Sequence, residues 1–200
     1  MSVDYTIPAI PTAYNGRQYR SRLEAKWAAF FDLLKWPFEY EPIDFGSWSP
    51  DFQLISPIGQ PIFVEVKPIT YFDSSTADRM RRSVDDSQIV ILLVGVSPLL
   101  PCGDSPPGSA CAWHSSGSEI GWRGSPGEFG GCMWRPAYIA QDGSGQMDIF
   151  SMVGSYRLGA IYRNGQKPDE HPPWQWRENC DRVAKLWKSA TNIVQWIPKP

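Results

Sequence analysis

PDFQLISPIGQPIFVEVK, residues 50 to 67, decides the fold. Its two ends alternate in the period of a strand, and SPIGQ between them is turn-rich, so the stretch predicts strands over Pro50–Ile55 and Pro61–Lys67 joined antiparallel. A period of two sends Ile62, Val64 and Val66 to one face, and Phe63, Glu65 and Lys67 to the other. Phe52 and Leu54 likewise oppose Asp51 and Gln53. A hairpin centred on Ile58 then sets Asp51 directly across from Glu65, with Cβ atoms about 5 Å apart.

Working outward, Phe38 to Tyr40 predicts a further short strand, making an antiparallel meander with the other two. Upstream, residues 1 to 16 lack helical periodicity and predict an extended arm. From Arg17 to Lys35 the spacing of Tyr19, Leu23, Trp27, Phe30 and Leu34 predicts an amphipathic helix ended by Pro37. Downstream, Thr76 to Asp86 predicts a short charged helix. The continuous apolar run QIVILLVGV, Gln88 to Val96, predicts a strand buried on both faces. Together these elements predict an α/β sheet.

Residues 97 to 132 are rich in glycine, serine and proline and predict an inserted loop region. Residues 133 to 200 add runs that read as strands, 133 to 140, 147 to 153 and 156 to 162, as a second small sheet. A helix from Pro172 to Trp196 closes the chain. One domain is expected over the 200 residues, with 42% hydrophobic and 20% charged side chains to supply its core.

No apolar run has the length of a membrane helix, and the first residues lack the order of a signal peptide, so a soluble, cytoplasmic protein with no membrane partner is expected. Nineteen basic and twenty-one acidic residues give a formal charge of -2, so no global positive field draws the chain to nucleic acid. Local patches must serve instead: Arg20, then Arg79, Arg81 and Arg82, then Arg177, Arg182, Lys185 and Lys188 beside Trp174, Trp176 and Trp187. For each the plain alternative is a solvated face. The ten tryptophans read first as core, with base stacking as the functional alternative.

Two carboxylates as close as Asp51 and Glu65 repel unless a cation lies between them, and a hard divalent ion suits oxygen donors. Mg²⁺ is expected, with Mn²⁺ able to substitute, held also by a backbone carbonyl and waters. Such an ion binds a phosphodiester oxygen and acidifies a bound water, while Lys67 orients that water or stabilises developing charge. Taken alone, Glu-x-Lys is a common ion pair on an exposed strand. Glu24 lies at the edge of the helix stripe, one turn after Arg20; it reads either as a third acidic group aimed at the metal or its waters, or as an i, i+4 pair. Cys102, Cys111, His114 and Cys132 include a Cys-x-x-His spacing compatible with structural Zn²⁺, against which unpaired reduced thiols are the simpler expectation.

YRSRLEAKWAAFFDLLKWPFEYEP, residues 19 to 42, followed by SPDFQL and VEVKP, resembles the small PD-(D/E)XK endonuclease-like proteins of phages and mobile elements. The resemblance covers residues 14 to 96. It implies a restriction-endonuclease-like αβββαβ core, with a mixed sheet flanked by helices, and an acidic set of Glu24, Asp51 and Glu65, with Val66 offering its backbone carbonyl to the metal and Lys67 completing the signature. Gln88 is an accessory polar candidate, against which a glutamine capping a strand edge is the commoner explanation. The expectation is therefore a Mg²⁺-dependent endonuclease that hydrolyses DNA, with homodimerisation suggested by fold-level analogy. The alternative is a catalytically silent nucleic-acid-binding or inhibitory protein of the same fold, or an assembly protein.

Overall fold

A computed structural model describes residues 8–55, 61–84, 89–99, 112–115, 134–141, 147–151 and 176–194. The fold is mixed α/β. A hairpin of β1 (Thr12–Tyr14) and β2 (Arg17–Tyr19) leads into α1 (Arg22–Leu34), then β3 (Phe38–Tyr40), β4 (Phe52–Ile55), β5 (Pro61–Val66), α2 (Ser74–Arg82) and β6 (Val90–Val94). Strands β7 (Ala112–Ser115), β8 (Arg135–Gln141) and β9 (Met147–Ser151) and helix α3 (Trp176–Val194) follow.

The hairpin corrects the expected arm and shortens the expected helix. Asn15 and Gly16 have φ of 48° and 75°. That is the two-residue turn whose twist matches paired strands, and Asn-Gly is its strongest sequence signal. Thr12 pairs with Tyr19, so Tyr19 reaches the core from a strand rather than from the helix. The helix itself begins at a Ser21 cap, whose side chain accepts from the Glu24 N–H, and ends on Lys35 in the left-handed region at φ 62°.

Seven strands form one sheet in the order β3-β4-β5-β6-β7-β8-β9. The expected meander is present: Phe38 pairs with Leu54 and Phe52 with Val64, both antiparallel. β5 and β6 run parallel, with Val64 beside Leu92, because α2 carries the chain back between them. Strands β8 and β9 were expected in a sheet of their own; they extend this one through β7, which pairs antiparallel with both β6 and β8. β7 is also a regular element inside the segment expected to be loop. A four-residue AWHS run among glycines and serines gives too short an alternation to stand out. The expected strand at 156–162 lies outside the described residues.

Strand parity divides the interior into two layers. Phe52, Leu54, Ile62, Val64, Val66, Leu92 and Ile139 pack with Trp27, Phe30 and Phe31 of α1 and Val183 and Ala190 of α3. Phe63, Ile91 and Leu93 face the other way, onto Ala77 and Met80 of α2 and onto Trp48. Each large side chain buried here contributes about 1.5–3 kcal/mol. Polar tips are anchored too: the Trp27 indole donates to the Gly95 carbonyl at 2.9 Å, tying α1 to the end of β6. No helix among the described residues is long and apolar enough to cross a membrane.

Candidate active site

The register of β4 on β5 pairs Gln53 with Phe63 and Phe52 with Val64, so one further step sets Asp51 opposite Glu65. Among the described residues, the buried charged side chains are Glu24, Asp51 and Glu65, at 7%, 3% and 4% exposure. Burying three carboxylates is costly unless each finds donors. The structure supplies them.

Asp51 turns Oδ2 to the Val66 backbone N–H at 2.7 Å and Oδ1 to the Arg20 guanidinium. Val66, whose carbonyl is the expected metal ligand, also fixes Asp51 through its amide. Glu65 accepts from the Trp48 indole N–H at 2.8 Å on Oε2 and meets the Lys67 ammonium at 2.5 Å on Oε1. Burial, then the neighbouring Glu65 charge, pushes the Asp51 carboxyl from 3.8 up to about 7, against the pull of the Val66 N–H and Lys67. That raised proton affinity is what two confined carboxylates produce.

Glu24 stands apart. It comes from the α1 layer, on the opposite face of the sheet from Phe63 and Glu65. Its Oε1 accepts from the Ser21 hydroxyl at 2.8 Å, and its Oε2 from the Tyr40 hydroxyl at 2.5 Å and the Arg20 backbone N–H at 3.2 Å. With Ser21 this is a variant of the capping box, a Ser-x-x-Glu signal present at residues 21 to 24. The expected Arg20–Glu24 pair is the loosest contact of the guanidinium, at 3.8 Å, while Glu41 lies 2.9 Å from Arg20 Nε. Among the described residues, no three His, Cys, Asp or Glu side chains converge into one metal-holding group. Asp51 and Glu65 form a pair, and Glu24 sits one guanidinium away.

The pair fits a divalent ion. Mg²⁺ is commonly held by only one or two carboxylates, with water and substrate phosphate completing its shell. The partners of Asp51 Oδ1 and Glu65 Oε1 are flexible side chains that reach solvent, Arg20 at 56% and Lys67 at 29% exposure.

The other candidates fare differently. Arg81 is partly absorbed by the fold, since it donates to the Ile89 carbonyl at 2.9 Å. Arg79 and Arg82 are exposed on α2, and Arg182, Lys185 and Lys188 are exposed on α3, which also contains Arg177. Cys102, Cys111, Cys132 and Gln88 lie outside the described residues; His114 lies on β7, paired with Leu92. Trp48 and Tyr40, both in contact with the buried acids, were not foreseen as site residues. For Trp48 no local signal exists, because its partner lies 17 residues on. Comparison with protein-family models, curated proteins and solved structures finds no match to this chain.

Proposed function

We propose that this chain is a Mg²⁺-dependent endonuclease hydrolysing DNA phosphodiester bonds, with Mn²⁺ able to replace Mg²⁺. One observation carries the reading: Asp51 and Glu65, both buried, face each other in register, with the Lys67 ammonium on the same carboxylate edge. The element order α1-β3-β4-β5-α2-β6 supports a restriction-endonuclease-like core, and the Ser-Arg-Leu-Glu-Ala, Pro-Asp-Phe and Glu-Val-Lys motifs support a phage or mobile-element origin.

A divalent ion on this pair supplies charge for a phosphodiester oxygen and a lowered water pKa. The protein's part is placement. The Val66 amide fixes the rotation of Asp51, and the Trp48 indole fixes Glu65. Lys67 is exposed enough to leave Glu65 and donate to the negative charge that develops as water adds and the P–O bond breaks. One water and one diester give a phosphomonoester and an alcohol.

The alternative, a catalytically silent nucleic-acid-binding protein of this fold, is favoured by a different observation: Arg20 and Lys67 already neutralise both acids from within. Incubation with supercoiled plasmid and linear single-stranded DNA, in Mg²⁺, Mn²⁺ or EDTA, separates the two. The nuclease reading expects metal-dependent cleavage that Asp51→Ala and Lys67→Ala abolish. DNA binding without cleavage by the folded wild type selects the alternative. Double-strand cutting would in addition call for a homodimer, checked by sedimentation on DNA.

A further inference from the structure

The two oxygens of Asp51 face different surroundings. Oδ2 is held by the strand backbone of β5, and Oδ1 is held by Arg20. The Asp51 side chain is 4% exposed while that of Arg20 is 56% exposed. The guanidinium therefore closes a buried carboxylate from its solvent side. A second carboxylate at the rim, Glu41, is 45% exposed and lies 2.9 Å from Arg20 Nε. The arginine thus has two buried anions, Asp51 at contact and Glu24 more loosely at 3.8 Å, and one solvent-facing anion within reach of a single side chain.

A cation that binds Asp51 must approach Oδ1, and it meets a positive charge already there. The two cannot share that oxygen at contact distance without strong repulsion. The guanidinium is also the side chain best shaped to grip a phosphate through paired N–H donors. We propose that Arg20 is an exchangeable counter-cation for Asp51: it neutralises the acid when no divalent ion is held, and on metal entry swings toward Glu41 and the phosphodiester. The proposal rests on the metal-dependent nuclease reading and names the residue that regulates that site.

The exchange has a signature opposite to that of a simple supporting residue. Removing the charge of Arg20 should tighten metal binding, where loss of a structural prop would weaken it. Full-length protein stripped with EDTA is titrated with Mn²⁺ alone by calorimetry, and with Tb³⁺ by tryptophan-sensitised luminescence. Arg20→Gln is expected to bind Mn²⁺ about fivefold more tightly than wild type, the factor a partly exposed ion pair is worth. Arg20→Lys, which keeps the charge, should stay near wild type. If Arg20→Gln is unfolded without metal, Mn²⁺ should fold it, the same exchange seen as rescue.

The handover is read on DNA in a Lys67→Ala background, where no cutting intervenes. Adding Arg20→Gln should weaken binding of a short duplex in Mn²⁺ several-fold and reduce the salt slope by about one. Equal or weaker Mn²⁺ affinity in Arg20→Gln, or a failure of Mn²⁺ to rescue its folding, overturns the exchange. An unchanged salt slope overturns the handover to phosphate. Mn²⁺ binding by neither wild type nor Arg20→Gln overturns the metal reading itself, and the exchange with it.

Discussion

Replacing Asp51 by asparagine should make the metal-free protein more stable while destroying its proposed activity. In the fold the carboxyl is raised from 3.8 to about 7, and each factor of ten in proton affinity is worth about 1.4 kcal/mol. A group whose folded pKa is raised stabilises the fold fully below its unfolded pKa and loses that contribution as pH rises through the folded one. The ionised side chain therefore costs up to about 4 kcal/mol of folding stability above pH 7, less what its ion pair with Arg20 returns. Asparagine carries no such charge, and its amide oxygen can still accept from the Val66 N–H. Its NH₂ group, however, is turned toward the Arg20 guanidinium, donor against donor, which takes back part of the gain.

A net stabilisation of about 2 kcal/mol at pH 8 follows, or roughly 4–8 °C in Tm for a chain of this size. The assay is thermal unfolding in EDTA at pH 8 and at pH 4.5, with Mn²⁺ added in a parallel series. The gain should shrink toward zero as the pH falls to 4.5, where the wild-type carboxyl is protonated. Added Mn²⁺ should raise the Tm of wild type at pH 8 and leave that of Asp51→Asn unmoved. An Asp51→Asn protein no more stable than wild type at pH 8, or equally more stable at both pH values, would refute the reasoning.

Three further outcomes are expected. Trp48→Phe removes the N–H that Glu65 accepts at 2.8 Å; it should lose about 1.5–3 kcal/mol in urea unfolding and bind Mn²⁺ more weakly, since the carboxylate is freed to rotate. Glu24→Gln disturbs the Ser21 and Tyr40 hydrogen bonds, so it should cost about 1–2 kcal/mol of stability yet leave Mn²⁺ affinity within about twofold. Gly16→Ala forces a side chain onto a residue at φ +75° with nothing within 4 Å of the added carbon, so the cost should be the backbone term alone, about 1–2 kcal/mol in unfolding, with cleavage unchanged.

The Asp51–Glu65 pairing was legible because strand parity and a turn-rich connection together leave one register that buries Phe52, Leu54, Ile62 and Val64 on a single face. The buried strand β6 was legible for a similar reason, its unbroken run of apolar residues. The hairpin before α1 carried its own signal in Asn15-Gly16, but Tyr19 also fits the helical stripe, and the longer period absorbed it. The Ser21 cap was equally visible and would have placed the helix start correctly. What local sequence does not hold is return contact across the fold. Trp48 reaches Glu65, and Arg20 reaches Asp51 across 31 residues; neither follows from any spacing, because each depends on how a loop or hairpin folds back over a sheet end. β7 escaped for a third reason, since a short strand owes its conformation to the edge of β6 on which it pairs.

The three buried acids also differ in what holds them. Glu24 is held by a cap hydroxyl, a phenol and a backbone amide, groups fixed by the helix start and by β3. Asp51 and Glu65 each have one fixed donor, the Val66 amide and the Trp48 indole, and one mobile cation, Arg20 and Lys67. A buried acid meant only to support the fold gains nothing from a flexible, entropy-rich lysine or arginine when a fixed donor will serve. The mobile cations are found on the two carboxylates that face each other, each on the oxygen that its fixed donor leaves open. Those are the two oxygens through which a metal ion would enter, while Glu24, held by Ser21, Tyr40 and the Arg20 amide, lies 3.8 Å from the Arg20 guanidinium and adds its charge to the upward push on Asp51.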